Sequence, residues 1–254
     1  MSVAERRVEL KSAKEIAALK AAGRLAGRLL DAVCKEVRPG VTTDELDRMS
    51  ADFIKRNGAK PAFLGYRGFP KTICLSVNDE VVHGIPGPRK LVDGDILGVD
   101  VGVLLNGWYG DTARTVAVGN IPPQTQKLLD ASKASLEKAM EAALAGGRLG
   151  DVSYAMQSVV EKAGFSVVRE YGGHGIGRAL HEDPHVPCLG KAGTGMRLTG
   201  GLVLALEVMA NAGKPDIDHK ADGWTVVTKD GSFSAHFEHT VAITEDGTEV
   251  ITRI

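Results

Sequence analysis

Cysteine is scarce. The 254-residue chain has three, Cys34, Cys74 and Cys188, far apart, and no Cys-x-x-Cys pair. That excludes a disulfide scaffold and a zinc ribbon and fits a reducing compartment. Net charge is almost absent, at −1 from 31 Lys+Arg against 32 Asp+Glu, so no overall field favours nucleic acid or an acidic membrane. No run reaches the roughly 18 apolar residues of a membrane helix. The longest, around 201–210, is interrupted by Glu207. The first thirty residues alternate charge and apolarity, unlike the apolar core of a signal peptide. There is no Asn-x-Ser/Thr sequon, Walker loop, G-x-G-x-x-G or G-x-S-x-G, so glycosylation, nucleotide binding and serine hydrolase chemistry have no support. What remains, 43% hydrophobic and 25% charged, is an ordinary globular composition. A cytoplasmic protein of one domain, 1–254, is expected.

What is present has a repeating grammar. Ser12 and Glu15 have capping-box spacing, and Ile16, Leu19, Ala22, Ala26, Leu29, Leu30 and Val33 recur at three and four, predicting a helix that Pro39-Gly40 stops. Thr42 with Glu45 opens a second helix, closed by Asn57-Gly58. Strand-like runs follow at 72–77, 96–105 and 112–118. Pro122-Pro123 then begins a long helix expected to run to Gly146-Gly147, and Asp151 heads another, closed by Gly164. Strands return at 201–209, 224–228 and 236–244. Each half also carries a His-Gly-Ile triplet, at His83 and His174. The expectation is one duplicated α+β unit with halves of about 12–119 and 120–247 and no flexible boundary between them.

The sharpest local inference concerns Asp100 and Asp111. Asn106-Gly107, between ILGVDVGVLL and WYGDTARTVAV, is a strong two-residue hairpin signal. A hairpin centred there pairs Asp100 with Ala113 and Asp111 with Gly102, so the two carboxylates are diagonal neighbours on one face, within about 8 Å. One aspartate at a solvated edge needs no ligand. Two like charges in a Val- and Leu-rich strand pair call for a cation between them. Glu207, inside LVLALEVM, needs a strong partner for the same reason. FEHTVAITEDG echoes GDTARTVAVGN, so a duplication equates Asp100 with Glu207 and Asp111 with Glu238, bringing four carboxylates to the centre. His174, in YGGHGIG, is the candidate fifth ligand, although a glycine-embedded histidine also reads as a loop residue. His181-Glu182-Asp183-Pro184-His185 matches H-E-x-x-H, but Pro184 excludes the helical turn that a zincin requires.

LGVDVGVLLNGWYGDTART, GGHGIGRALHEDPHV, LEVMA and FEHTVAI, in this order and spacing, resemble methionine aminopeptidase type I, in its short bacterial or organellar form, from about Lys14 to Thr244. The resemblance implies the pita-bread fold, a pseudo-twofold α+β unit with a central antiparallel sheet. It implies hydrolytic removal of the initiator methionine from nascent polypeptides, favouring a small second residue. It implies two divalent metals, among Co, Mn, Fe and Zn, sharing a bridging hydroxide nucleophile. Asp111 and Glu238 would bridge them, Asp100 would bind one, and His174 with Glu207 the other. Glu207 would also serve as base, His181 would meet the scissile carbonyl and His83 the amide nitrogen. The methionine pocket would be Phe63, Tyr66, Phe69, Cys74, Leu180 and Trp224. A ribosome association is left open; no specific nucleic acid or membrane is implied, and a monomer is expected.

The chain departs from the family pattern at a few positions. Val208 stands where proline usually follows the glutamate, and His236 where glutamine is common, two residues before Glu238 and so on its strand face. Phe63 and Leu180 replace the more usual Cys and Phe. Two rivals are a prolidase or aminopeptidase P, which usually carries an extra N-terminal domain, and a non-enzymatic member, which typically lacks metal ligands.

Overall fold

The computed structural model describes residues 8–254. Both capping boxes form. Ser12 and Glu15 open α1 (Ala13–Glu36), and Thr42 and Glu45 open α2 (Thr43–Arg56). The first half continues with β1 (Lys60–Pro61), β2 (Cys74–Val77), β3 (Glu80–Val82), β4 (Ile96–Leu105) and β5 (Trp108–Ala117). The second half has α3 (Pro123–Ala142) and α4 (Leu149–Lys162), then β6 (Ser166–Val167), β7 (Gly172–Gly175), β8 (Glu182–Pro187) and β9 (Val203–Asn211). It ends with β10 (Ile217–His219), β11 (Val226–Thr228), β12 (Ser234–Thr244) and β13 (Gly247–Val250).

Two helix boundaries differ from the sequence reading. α3 stops at Ala142 because the following backbone leaves the helix for another partner: the Gly146 N–H donates to Leu198 O at 2.8 Å, and the Leu198 N–H to Gly147 O at 2.9 Å. α4 begins before Asp151, whose carboxylate instead accepts the Arg148 N–H at 2.9 Å from the first turn.

The main sheet runs β1-β4-β5-β12-β9-β7-β8, antiparallel throughout, with β2 on β4, β6 on β9 and β13 on β12. The seam between the halves is therefore β5 against β12. Two hydroxyls stitch it: Thr112 Oγ1 donates to Glu238 O at 2.8 Å, and Thr240 Oγ1 to Asp111 O at 2.6 Å.

α1 packs on β4 and β5, and α3 on β9 and β12. Gly110 meets α1 so closely that a Cβ would lie 2.5 Å from the Ala22 backbone. Side chains alternate along a strand, so Asp111, its neighbour, points to the face opposite α1. That parity sets the location of the site.

Candidate metal centre

The β4–β5 hairpin has the register expected from Asn106-Gly107. Both turn residues have positive φ, 52° and 80°, as a tight primed turn requires. Asp100 faces Ala113 and Asp111 faces Gly102, so the two carboxylates lie diagonally on one face. Across the seam Glu238 faces Ala113, and on its other side it faces Glu207 directly. An exact internal copy of the first half would have set Glu207 opposite Thr240, two residues further on. The ladder is slipped by two, which preserves the facing and brings the second pair of carboxylates closer.

His174 is a strand residue. β7 runs beside β9 with His174 opposite Ala205, two residues before Glu207 and on the same face. The glycines around it permit that approach, since a Cβ at Gly173 would collide with the Ala205 carbonyl. His174 Nδ1 donates to Gly175 O at 2.9 Å, which leaves Nε2 as a free acceptor. Nε2 lies 4.0 Å from both Asp111 Oδ2 and Glu207 Oε1. Donor atoms of Asp111, His174 and Glu238 all fall within 4.8 Å of one another.

The electrostatics are those of a site built for positive charge. Asp100 Oδ1, Asp111 Oδ1 and Glu238 Oε1 are buried with no hydrogen-bond partner among the described residues. Desolvation, and then the neighbouring carboxylates, push all three acids well above their ordinary range. Glu207 behaves differently. Desolvation raises it too, but His236 Nε2 at 3.1 Å from Oε2 outweighs that and holds it down at about 2. His236 is in turn fixed by Thr115, whose Oγ1 accepts its N–H at 2.8 Å and donates to its carbonyl at 3.0 Å. Four carboxylates and one imidazole, with buried oxygens otherwise orphaned, fit divalent cations.

A cavity of about 290 Å³ opens onto these groups. Phe63, Tyr66, Phe69, Cys74, Leu180 and Trp224 all line it and belong to one contiguous apolar cluster. Phe69 meets Trp224 edge-on at 5.2 Å. His83 and His181 line the cavity as well. His83 has φ 60° and stands between Tyr171 and Trp224, with ring centroids at 5.6 and 6.2 Å. Burial lowers its pKa to about 4. His181 is at the mouth, open to solvent on one side, its Nδ1 2.9 Å from Tyr66 Oη and its ring 4.2 Å from that of His174. Desolvation and then His174 hold it below its ordinary value. The H-E-x-x-H match forms no helix; it lies at β8.

Tyr171, Met209 and His185 also line the cavity, and of these the sequence marks only His185, through the H-E-x-x-H match. Met209 was within reach of the strand period, two residues beyond Glu207 on the same face. Tyr171 immediately precedes the glycine cluster, and nothing in its own sequence context marks it.

A model of metallopeptidase family M24 matches residues 17–245. Methionine aminopeptidase 1 of Bacillus subtilis is 50% identical over 244 residues, 96% of this chain and 98% of that protein. The methionine aminopeptidase of Clostridium perfringens is 49% identical, again covering 96% and 98%. The crystal structure of methionine aminopeptidase from Rickettsia prowazekii superposes with a TM-score of 0.95 at 44% identity, over 97% of this chain and 100% of that one. A prolidase from Pyrococcus furiosus, 22% identical over 96% of this chain and 65% of that one with a TM-score of 0.79, shares the fold alone. The architecture is the pita-bread fold common to both. Matched to the family from residue 17 to residue 245, and to close relatives almost end to end, the chain belongs to metallopeptidase family M24 and, within it, to the methionine aminopeptidases.

Proposed function

We propose that the chain, acting in the cytoplasm as one metallopeptidase domain, removes the N-terminal methionine from nascent polypeptides by hydrolysis, with a preference for a small second residue. The observation that carries this reading is the set of orphaned, buried carboxylate oxygens beside the free Nε2 of His174, opening onto an apolar-walled cavity.

Asp100, Asp111, His174, Glu207 and Glu238 would hold two divalent cations, drawn from Mn, Fe, Co and Zn, with Asp111 and Glu238 shared between them. When bound, such cations supply a water nucleophile at neutral pH and a charge that polarises the scissile carbonyl. The apolar wall takes the methionine side chain, flexible and uncharged, and disfavours a charged one. His181 is neutral at neutral pH. With the Tyr66 hydroxyl donating to Nδ1, its proton stands on Nε2, ready to donate to the oxygen that gains charge. His83, also neutral, is available to the amide nitrogen as it becomes an amine. Glu207, ionised throughout the neutral range, takes up the proton of the attacking water.

Comparing methionine release from Met-Ala-Ser with release of the first residue from Xaa-Pro peptides, under metal titration, tests this reading. Turnover of the first alone is expected. Turnover only of Xaa-Pro assigns the chain to prolidase-like chemistry, and no turnover with any of the four metals removes the enzymatic reading.

A further inference from the structure

The segment that delivers Leu180 and His181 to the cavity is fastened from outside by a residue that precedes α1. The Lys11 side chain is 3% exposed, and its Nζ donates to Glu182 Oε2 at 2.6 Å. The other oxygen of Glu182 accepts the Ala179 N–H at 3.0 Å, closing the turn around 180–181. Lys11 is itself anchored, its N–H donating to Gly201 O at 2.7 Å. Glycine stands at 177 where the lysine stem passes, since a Cβ there would lie 2.5 Å from Lys11 Cε. The neighbouring residues are held as well: the Tyr109 N–H donates to Gly177 O at 3.0 Å, and the Arg178 guanidinium lies 3.8 Å over the Trp108 ring.

A buried ion pair contributes no more to stability, as a rule, than apolar packing of the same volume, because both charges lose their hydration. What it does contribute is a fixed geometry. Glu182 adjoins His181 in the chain, and among the described residues the His181 ring is hydrogen-bonded to Tyr66 and stacked against Tyr66 and His174. We propose that Lys11 is a positioning residue that acts through Glu182 to hold the 177–182 turn, and with it His181, at the cavity mouth. The inference rests on the reading of His181 as the group that meets the scissile carbonyl.

The experiment uses the full chain loaded with Mn(II), and compares Lys11→Met in the wild-type and His181→Ala backgrounds. Amide exchange across 177–182 is expected to quicken about tenfold in Lys11→Met, with the β4–β5 hairpin unchanged. The kcat on Met-Ala-Ser is expected to fall about tenfold in the wild-type background and less than twofold when His181 is already absent, the pattern of two residues acting as one. Glu182→Gln, which keeps an acceptor for Ala179 but loses the charge, is the second variant and is expected to change exchange in the same direction. Unchanged exchange at 177–182, or equal kcat losses in the two backgrounds, overturns the proposal. A fully active His181→Ala would refute the catalytic reading of His181 instead, and the exchange result still judges the brace.

Discussion

Glu207 and Glu238 stand directly opposite each other on β9 and β12, a placement that is unfavourable for two carboxylates unless something positive lies between them. Without metal, Glu238, Asp100 and Asp111 hold their protons well above the ordinary 4.5 and 3.8. A folded-state pKa raised above the unfolded one contributes stability that is complete at low pH and is lost as pH rises towards the folded value. The buried histidines His83 and His174 have lowered pKa values and act with the opposite sign, but only below their ordinary 6.5. Glu207 also acts with the opposite sign, between 4.5 and about 2. Between pH 7 and pH 8 the carboxyls dominate; nearer pH 9 the thiols of Cys34, Cys74 and Cys188, raised by burial, act in the same direction. Each carboxyl still protonated in the folded state lowers stability by about 1.4 kcal/mol per pH unit, or about 2–4 °C of Tm at this chain length. EDTA-treated protein is therefore expected to melt progressively lower from pH 7 to pH 8, below the range of the thiols, and saturating Mn(II) to abolish or reverse the trend. A flat metal-free profile would contradict the charge assignment.

Asp111→Asn and Glu238→Gln test the proposal that these two carboxylates are shared between two cations. An amide oxygen keeps the shape and loses the charge, which makes it a poor partner for two cations. Turnover of Met-Ala-Ser is expected to vanish in both variants while the circular dichroism spectrum stays that of the wild type. Isothermal titration would report at most one tightly bound metal. Near-wild-type activity with metal replenished would rule out sharing by that residue.

The fold was legible where short-range chemistry determines it. Asn106-Gly107 fixes the register of a ten-residue strand pair, and through it the shared face of Asp100 and Asp111. Capping boxes mark both N-terminal helices because Ser12 and Thr42 satisfy backbone donors that are always left over there. Less was legible where the partner is remote in sequence. β7 is glycine-rich, with no intrinsic strand preference, and becomes a strand because β8 and β9 flank it. The end of α3 depends on Leu198, and the two-residue slip that sets Glu207 against Glu238 depends on how two strands pack at a distance. Lys11 reads as one more surface charge until Glu182 is beside it.

His181→Ala separates a hydrogen-bond donor from a ligand. His181 is open at the mouth, and its Nδ1 is taken by Tyr66, so it belongs to the approach of the substrate more than to the carboxylate floor. Loss of one donor to a developing oxyanion typically lowers kcat by roughly 10²–10³. That drop is expected here with metal stoichiometry and affinity unchanged by titration. If metal is lost together with activity, His181 is a ligand.

Phe63→Ala probes the choice of first residue. Phe63 is 8% exposed and its ring lies over Gly102, where an added Cβ would come within 2.5 Å of a ring carbon. Gly102 shares its strand face with Asp100, so the ring stands beside the carboxylate floor as well as in the apolar wall. Leu180 belongs to the same apolar cluster. Discrimination by one methylene in an apolar pocket is worth only about 1–3 kcal/mol. The wild type is therefore expected to accept norleucine well and leucine poorly. Removing the ring opens the wall: Phe63→Ala is expected to admit larger first residues and to raise KM for methionine peptides, with a stability loss of about 3–5 kcal/mol from the truncated core side chain. The measurement is kcat/KM over a panel of Xaa-Ala-Ser peptides on both proteins, at a temperature where each is folded. An unchanged ranking would mean that Phe63 packs against the pocket without shaping it, and would leave Leu180 and Trp224 to set the fit.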